Sequence, residues 1–411
     1  IMVQGTGSHT GKSVITAGLC RIFAQDGYKV APFKAQNMAL NSYPTEDGLE
    51  MGRAQVMQAE ACGIKPQVEM NPILLKPSSD VGCQVIVMGK FVCNMNVQKY
   101  HKYQKKAWKT VQQAYNKLAK ENDIIVIEGA GSPAEINLKK NDIVNMKVAK
   151  WTKAKVLLVG DIDRGGVFAS LYGTIKLLSK NEQELIKGII INKFRGDETI
   201  LTPGLKSFSK MTGKHILGVI PFFKNIRLDE EDSLALEGKQ KFSKFSLPDG
   251  KIEIAIICLP HMSNFTDFDP IEDDKDIHLK YITSKEEFGN PDVIVIPGTK
   301  NTIEDLKFLH QTKMADVIQE KAKSKTLIIG VCGGYQILGK AVKDPYCVES
   351  NIKYIKGLDL LDVTTVMAKN KITCQSEAKW LYYHDKHRKY GQDKNVLPIG
   401  KIGRILNEKL K

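Results

Sequence analysis

Features that would place this chain in a membrane or direct it out of the cell are missing from the sequence. No run of about 18 apolar residues appears, so we expect no membrane span and no membrane partner. The first residues, Ile1-Met-Val, are already typical of a strand, so we expect no secretory signal. We also expect the chain to start a few residues inside its natural N-terminus. The 411 residues are enough for two or three domains.

Cysteine pairs of the C-x-x-C type are also missing. Eight cysteines are present, and none has the spacing of a zinc or thiol–disulfide motif. The sequence therefore argues against a structural zinc site and against a disulfide framework. We expect a reducing, cytoplasmic compartment and no tightly bound cofactor.

Charge is plentiful, but it is not clustered. The net charge is +14, from 60 Lys and Arg against 46 Asp and Glu, yet no arginine cluster or interleaved aromatic stripe appears. We therefore favour a lysine-rich solvated surface and expect no nucleic-acid partner. A secondary interpretation is that the positive charge attracts ATP and a carboxylate-rich substrate.

The strongest motif is a glycine-rich stretch, Gly5-Thr-Gly-Ser-His-Thr-Gly-Lys-Ser13, between a short apolar run and a helical pattern. Glycines allow backbone N–H groups to turn onto phosphate oxygens, and the helix start adds its positive dipole end. We expect Lys12 to reach the β- and γ-phosphates of ATP and Ser13 to hold Mg²⁺. The predicted ATP-binding residues of this loop are Gly5, Thr6, Thr10, Gly11, Lys12 and Ser13. The alternative is a glycine-rich turn that binds nothing.

Polar residues follow several predicted strands at the point where each strand ends. Because ligands meet an open α/β sheet at the carboxyl ends of its strands, these residues are candidate ligand contacts. We expect Glu128 to hold Mg²⁺, against the alternative of a helix cap or surface acid. Predicted substrate contacts are Lys34, Gln36, Asn37, Asp161 and Arg164, and predicted purine-base contacts are Asn192 and Lys193. A solvated loop and a tight turn are the alternatives for the substrate residues.

The alternation of apolar runs with helical patterns predicts the fold class. It is α/β, with a doubly wound, mostly parallel sheet. The pattern breaks after residue 221, and a second α/β unit begins at residue 251, with one helix predicted over about 301–321. We place an ATPase domain at 1–225, a linker at 226–250, a second domain at 251–366 and an atypical Lys-rich tail at 367–411.

A second candidate site lies in the second unit, at Gly330-Val-Cys-Gly-Gly334. This G-x-C-x-G pattern is the cysteine version of a nucleophile elbow, in which small neighbours allow a strained turn to expose sulfur. We predict Cys332 as nucleophile and the backbone N–H groups of Gly333 and Gly298 as an oxyanion hole. A buried structural cysteine is the alternative. Only His384 and His387 follow Cys332 as candidate bases.

With these motifs in place, the chain resembles the cobyric acid synthase family, the glutamine-dependent amidotransferases of cobalamin biosynthesis. The most specific part of the resemblance is Lys34-Ala-Gln-Asn-Met38. The matching stretches are residues 5–13, 33–42, 51–55, 71–77, 79–87, 128–138, 161–169, 192–197, 259–270, 297–300 and 330–336. The resemblance implies a P-loop-type ATPase domain joined to a class I glutamine amidotransferase-like domain that is C-terminally incomplete. The family's histidine-containing region has no match after about residue 368, so the base for Cys332 stays open.

The resemblance also implies the reaction. It is the amidation of side-chain carboxylates on a corrinoid, adenosylcobyrinic acid a,c-diamide, with ATP, Mg²⁺ and glutamine. The alternatives are a cobyrinic acid a,c-diamide synthase-like ligase, and a version with an inactive glutaminase that uses free ammonia. Outside the ligases, one alternative is an ATPase switch of the partitioning or septum-site class, but proteins of that class lack the cysteine elbow. A further alternative is a protein that binds ligand without catalysis. The oligomeric state is not predicted.

Overall fold

The computed structural model describes residues 1–79, 82–223, 251–272, 274–324, 326–369 and 396–397. These residues form two compact units, one within residues 1–223 and the other beginning at residue 251. The predicted linker at 226–250 and most of the predicted tail, including His384 and His387, lie outside the described residues. No helix in the described part of the chain is long and apolar enough to cross a membrane.

The first unit is built on a six-stranded sheet in which every pairing is parallel. Its order is β12-β11-β10-β1-β9-β2. The strands of this sheet are β1 (Met2–Gly5), β2 (Val30–Phe33), β9 (Ile124–Glu128), β10 (Val156–Asp161), β11 (Ile186–Phe194) and β12 (Ile216–Pro221). The helices of the unit are α1 (Lys12–Gln25), α2 (Arg53–Cys62), α3 (Val97–Glu121), α4 (Met146–Thr152), α5 (Val167–Leu177), α6 (Lys180–Leu185) and α7 (Glu198–Thr212).

Continuous apolar runs explain the central strands. β1 and β2 are buried at every position, and so are the last four residues of β9 and the first five of β10, as expected where both faces of a parallel sheet are covered. On α3, Val111 and Leu118 are fully buried while Trp108 and Tyr115 pack against the same core. The apolar face of this helix is therefore part of the core.

A second sheet of four strands departs from the simple alternation. It is ordered β3-β6-β7-β8, with β3 parallel to β6 and the other pairs antiparallel. Its strands are β3 (Gln36–Met38), β6 (Ile73–Ser79), β7 (Gly82–Val87) and β8 (Lys90–Asn96), and a separate hairpin joins β4 (Ser42–Pro44) to β5 (Glu50–Gly52). The helix α2 begins at Arg53, directly after this hairpin, because Glu50–Gly52 pairs with Ser42–Pro44.

The second unit repeats the parallel plan with a five-stranded sheet, β14-β13-β15-β16-β20, and adds a three-stranded sheet, β18-β17-β19. Its strands are β13 (Ile252–Ile257), β14 (Ile277–Ile282), β15 (Val293–Ile296), β16 (Leu327–Gly330), β17 (Ala341–Lys343), β18 (Tyr354–Lys356), β19 (Thr364–Val366) and β20 (Val396–Leu397). Its helices are α8 (Asp269–Glu272), α9 (Thr302–Gln311), α10 (Met314–Lys323) and α11 (Gly333–Leu338).

The single helix predicted over about 301–321 is wrong. The segment forms two helices, α9 and α10, separated at Thr312 and Lys313. Lys313 has a φ of 63°, a left-handed conformation that a continuous right-handed helix cannot contain. The predicted α/β class and the mostly parallel sheets are otherwise confirmed.

Candidate functional site

The glycine-rich loop joins β1 to α1 and folds back on itself. Lys12 Nζ donates to the carbonyl of Gly7 at 2.7 Å and to that of Gly131 at 3.2 Å, so the lysine spans the loop. Two glycines are required by space: a Cβ on Gly5 would lie 2.2 Å from Thr10 Oγ1, and one on Gly11 would lie 2.0 Å from Asn192 Nδ2. Gly11 also has a φ of 95°, which favours glycine.

The ends of β10 and β11 brace this loop. Asn192 Nδ2 donates to the carbonyl of Thr10 at 2.9 Å, and Lys193 Nζ donates to that of His9 at 2.6 Å. Lys193 also donates to Asp161 Oδ2 at 2.9 Å, while Arg164 is exposed in the turn that follows. These contacts join the predicted residues Thr10, Asn192, Lys193 and Asp161. Contact of Asn192 or Lys193 with a purine base stays a prediction.

Glu128 is the centre of a buried polar cluster beside the loop. Its carboxylate is 1% exposed and accepts from Ser13 Oγ at 2.8 Å, Lys34 Nζ at 3.0 Å and Gln58 Nε2 at 2.6 Å. Burial alone would raise the pKa of Glu128, but the Lys34 ammonium and the three hydrogen bonds outweigh it and hold the pKa below its usual range. Glu128 is therefore an ionised carboxylate next to Ser13.

The remaining predicted substrate residues lie at the edge of this cluster. Asn37 Nδ2 donates to Gln55 Oε1 at 3.1 Å, and Gln55 Nε2 in turn lies 3.5 Å from Glu128 Oε2. Gln36 accepts a hydrogen bond from the Tyr100 hydroxyl. The structure thus connects Asn37 to Glu128 and leaves Gln36 in contact with α3.

Two residues of this cluster were not predicted as site residues. Gln55 and Gln58 lie on α2 and are completely buried. A signal was present in the sequence: two glutamines three residues apart lie on one face of a helix whose other buried residues are Ala and Val. A buried amide needs a hydrogen-bonding partner, and Glu128 provides it.

The cysteine motif of the second unit forms a strained turn between β16 and α11. Cys332 is exposed, with a φ of 51° and a ψ of −109°. Its glycine neighbours are required by space, since a Cβ on Gly334 would lie 2.0 Å from the carbonyl oxygen of Ile296 and one on Gly330 would lie 2.6 Å from that of Gly334. Because Gly330 and Gly334 have no side chain, the backbone can turn sharply at the end of the strand and leave Cys332 exposed.

The predicted oxyanion-hole glycines lie beside Cys332. A Cβ on Gly298 would lie 3.7 Å from Cys332 Cβ, and Gly333 follows Cys332 directly. Gly298 is fixed by its carbonyl, which accepts from Ser263 N at 2.9 Å. Within the described ranges, the N–H groups of Gly298 and Gly333 donate to no protein acceptor. Two N–H groups that lack protein acceptors beside the predicted nucleophile are suited to an oxyanion.

A histidine–carboxylate pair near this turn was not predicted. His261 Nδ1 lies 2.6 Å from Asp305 Oδ1, and Asp305 is fully buried. Asp305 also accepts from the Thr299 hydroxyl, and a Cβ on Gly333 would lie 2.5 Å from Thr299 Cγ2. Thr299 therefore contacts both the carboxylate of the pair and Gly333, the residue after Cys332.

Comparison with known proteins places both units. Residues 1–235 match the CobQ/CobB/MinD/ParA nucleotide binding domain, and residues 253–393 match the CobB/CobQ-like glutamine amidotransferase domain. A cobyric acid synthase of Desulfitobacterium hafniense is 51% identical over 382 residues, covering 92% of this chain and 74% of the relative. The chain belongs to the cobyric acid synthase family. The family is that predicted from the motifs around Lys34 and Cys332.

Two further members of the cobyric acid synthase family show how far the likeness extends. One, from a Thermoanaerobacter species, is 53% identical over 92% of this chain and 73% of its own length. The other, from Clostridium botulinum, is 50% identical and its match covers 100% of this chain and 83% of its own length. The match to the amidotransferase domain continues to residue 393, past residue 366 where the sequence placed the end of this domain.

Proposed function

We propose that this chain catalyses the ATP- and glutamine-dependent amidation of side-chain carboxylates on adenosylcobyrinic acid a,c-diamide, giving adenosylcobyric acid. The observation that carries the proposal is that one chain of this family holds both the Ser13–Glu128 contact beside a phosphate loop and the Cys332 elbow. The first arrangement serves phosphoryl transfer and the second serves release of ammonia from glutamine.

In the first unit the proposed reaction activates a carboxylate. An oxygen of the substrate carboxylate attacks the γ-phosphorus of ATP, ADP leaves, and ammonia then displaces phosphate from the acyl phosphate. In this proposal Lys12 stabilises the charge of the transferring phosphoryl group, and Lys34 orients the attacking carboxylate. Asn37, Gln36, Asp161 and Arg164 are proposed substrate contacts, and Asn192 and Lys193 proposed contacts of the purine base.

The donor set at Ser13 and Glu128 fits Mg²⁺. Both side chains offer oxygen, they lie 2.8 Å apart, and the low pKa of Glu128 keeps its carboxylate charged. They would hold the ion, which would supply positive charge to the phosphates when bound. Mg²⁺ usually takes only one or two protein ligands, so a pair of residues is sufficient.

In the second unit the Cys332 thiolate attacks the glutamine carboxamide. The N–H groups of Gly333 and Gly298 hold the oxyanion, ammonia leaves, and water hydrolyses the thioester to give glutamate. The step needs a base. His384 and His387 are the candidates that follow Cys332 in the sequence, and the pair of His261 with Asp305 is a further candidate because the carboxylate orients the imidazole.

The other expectations belong to the same proposal. The partners are small molecules, namely ATP, glutamine and the corrinoid, and the enzyme works in the cytoplasm. Neither nucleic acid nor a membrane takes part, and no tightly bound cofactor is needed. The positive net charge of +14 suits substrates that carry phosphates and carboxylates.

The test is amidation of adenosylcobyrinic acid a,c-diamide with ATP and Mg²⁺, run in parallel with glutamine and with ammonium. We expect turnover with ammonium, and turnover with glutamine if a histidine serves Cys332. Lys12→Ala is the matched variant and should abolish both rates. Absence of turnover with either nitrogen source would overturn the proposal, and a preference for cobyrinic acid would indicate an a,c-diamide synthase-like ligase instead.

A further inference from the structure

Two cysteines of the first unit have no role in the chemistry above, and their thiols are in contact. Cys20 lies on α1 and is completely buried, whereas Cys62 is the last residue of α2 and is partly exposed. The two helices pack against each other, and Cys62 packs against the apolar cluster of Cys20, Val30 and Val126. The two thiols are hydrogen-bonded to each other. Both are free thiols in this structure.

A second pair of neighbouring cysteines lacks such a contact. Cys83 and Cys93 lie on the adjacent strands β7 and β8, but Cys83 is paired with Met95 and Cys93 with Val85. They are therefore diagonal neighbours, whose Cα atoms lie about 7–8 Å apart in a sheet. A disulfide needs a Cα–Cα distance of about 4.4–6.8 Å, so this pair cannot be bridged without movement of the backbone.

The thiols of Cys20 and Cys62 differ in access and in acidity. The hydrogen bond to Cys62, together with burial, raises the pKa of Cys20. The same hydrogen bond lowers the pKa of Cys62, and the partial burial of Cys62 offsets only part of this effect. The attacking species in thiol–disulfide exchange is an accessible thiolate. Cys62 is therefore the attacking residue, and Cys20 is the resolving residue beside it.

The same two helices carry contacts of the phosphate loop. On α1, Ser13 Oγ donates to Glu128 at 2.8 Å. On α2, Gln58 precedes Cys62 by one turn, and its Nε2 donates to Glu128 at 2.6 Å and to the Ser13 carbonyl at 3.4 Å. A disulfide brings two sulfur atoms to about 2.05 Å, closer than hydrogen-bonded thiols lie. A bond between Cys62 and Cys20 therefore displaces α2 relative to α1 next to Gln58.

We propose that Cys20 and Cys62 form a reversible disulfide, and that this bond weakens the binding of ATP at the phosphate loop. The effect on ATP rests on the proposed function of the first unit. The oxidant is a low-molecular-weight disulfide, RSSR, which gains the two electrons that the protein thiols lose. In a reducing compartment the two thiols persist, and the loop keeps its affinity for ATP.

The exchange has two steps. The Cys62 thiolate attacks one sulfur of RSSR, and the RS⁻ that leaves takes up the proton that Cys62 lost. The Cys20 sulfur then attacks the Cys62 sulfur of the mixed disulfide, and its proton passes to the second RS⁻. The products are one protein disulfide and two RSH.

The first test maps the cysteines of the full chain after exposure to oxidised glutathione. Remaining thiols are blocked with iodoacetamide, and the chain is digested without reduction. We expect a linked peptide that contains Cys20 and Cys62 and that dithiothreitol separates, while Cys83 and Cys93 are alkylated. A glutathione adduct that stays on Cys62, or a Cys62 that stays reduced, would overturn the proposal.

The second test measures the affinity for a non-hydrolysable ATP analogue with Mg²⁺ before and after oxidation. We expect Kd to rise about ten-fold, because Glu128 loses the orientation that Gln58 gives it and one charge-assisted contact weakens. Cys62→Ser is the matched control and should show no change on oxidation, and Cys20→Ala is a second variant with the same expectation. An oxidised wild-type chain that binds the analogue as tightly as the reduced chain refutes the effect on ATP.

The coupling between the disulfide and ATP also acts in the opposite direction. If the bond weakens the binding of the analogue ten-fold, saturating analogue favours the reduced thiols by the same factor. For this two-electron couple, a factor of ten raises the reduction potential of the disulfide by about 30 mV. Titration in glutathione buffers with and without the analogue measures this shift, and equal potentials would contradict the coupling.

These measurements separate the disulfide from the proposed function. If the reduced wild-type chain does not bind the analogue, the proposed function of the first unit fails and the effect on ATP fails with it. The peptide map then still decides whether Cys20 and Cys62 form the bond. If the reduced and oxidised chains bind the analogue equally well, the proposed function stands and only the effect of the disulfide is refuted.

Discussion

Replacing Lys34 by methionine tests whether the Lys34–Glu128 pair is an energetic unit. Both side chains are almost completely buried, 4% and 1% exposed, and their charged atoms lie 3.0 Å apart. Removing one partner of a buried pair costs about 3–5 kcal/mol, because the other charge stays buried without compensation. Ser13 and Gln58 still donate to the carboxylate in Lys34→Met, so we expect the lower end, about 3 kcal/mol.

The double variant Lys34→Met/Glu128→Gln tests whether the two charges are energetically coupled. It removes both charges and both desolvation costs, so we expect its free energy of unfolding within about 1 kcal/mol of wild type. Urea unfolding followed by tryptophan fluorescence is a suitable assay, since Trp108 and Trp151 pack together in the first unit at 5.6 Å. A Trp380→Phe background removes the remaining tryptophan. If the double variant loses the sum of the two single losses, the pair is not coupled and the reasoning is wrong.

Three further predictions follow from other contacts. Cys332→Ser should abolish glutamine-supported amidation and leave the ammonium-supported rate within about two-fold, which parallel assays with the two nitrogen sources measure. His261→Gln should lower the glutamine-supported rate about 10²-fold or more if this imidazole is the base, with the ammonium rate as control, and an unchanged glutamine rate would leave His384 or His387 in that role. Glu182 accepts from Lys139 at 2.6 Å and Lys150 at 2.8 Å; these contacts outweigh its burial and lower its pKa to about 2. Its contribution to the free energy of unfolding is therefore fully present above about pH 5 and declines as the pH falls toward the folded pKa. In Glu182→Gln we expect urea denaturation to show a loss of about 1–2 kcal/mol in the free energy of unfolding at pH 7, after allowing for the half-exposed lysines. This loss should shrink by more than half near pH 3. A loss that stays constant with pH would exclude this linkage.

The parts of the fold that could be predicted from sequence are those that local physics determines. The strand–loop–helix at Gly5–Ser13 could be predicted because its glycines allow a tight loop that other residues adopt only with strain. Gly11 has the positive φ that such a loop requires. The turn at Cys332 follows in the same way from its neighbours Gly330 and Gly334, whose Cβ atoms would collide with carbonyl oxygens. Short-range steric constraints are visible in the sequence itself.

The contacts that complete the candidate sites could not be predicted in this way. Gln58 and Glu128 are 70 residues apart in the chain, and His261 and Asp305 are 44 apart. Which strand ends and helices meet depends on the order of the strands in the sheet, and the periodicity of each segment does not contain that order. The four-stranded sheet of β3, β6, β7 and β8 escaped prediction for the same reason, since its strands resemble those of the main sheet.

Glu128 and Glu349 differ in how the protein compensates the charge of each carboxylate. Glu128 has a cation, Lys34, at 3.0 Å, so the protein itself compensates the cost of burying the charge. Glu349 has no such partner among the described residues, and its pKa rises to about 7. A fold that leaves a carboxylate uncompensated loses stability, unless a ligand supplies the missing charge.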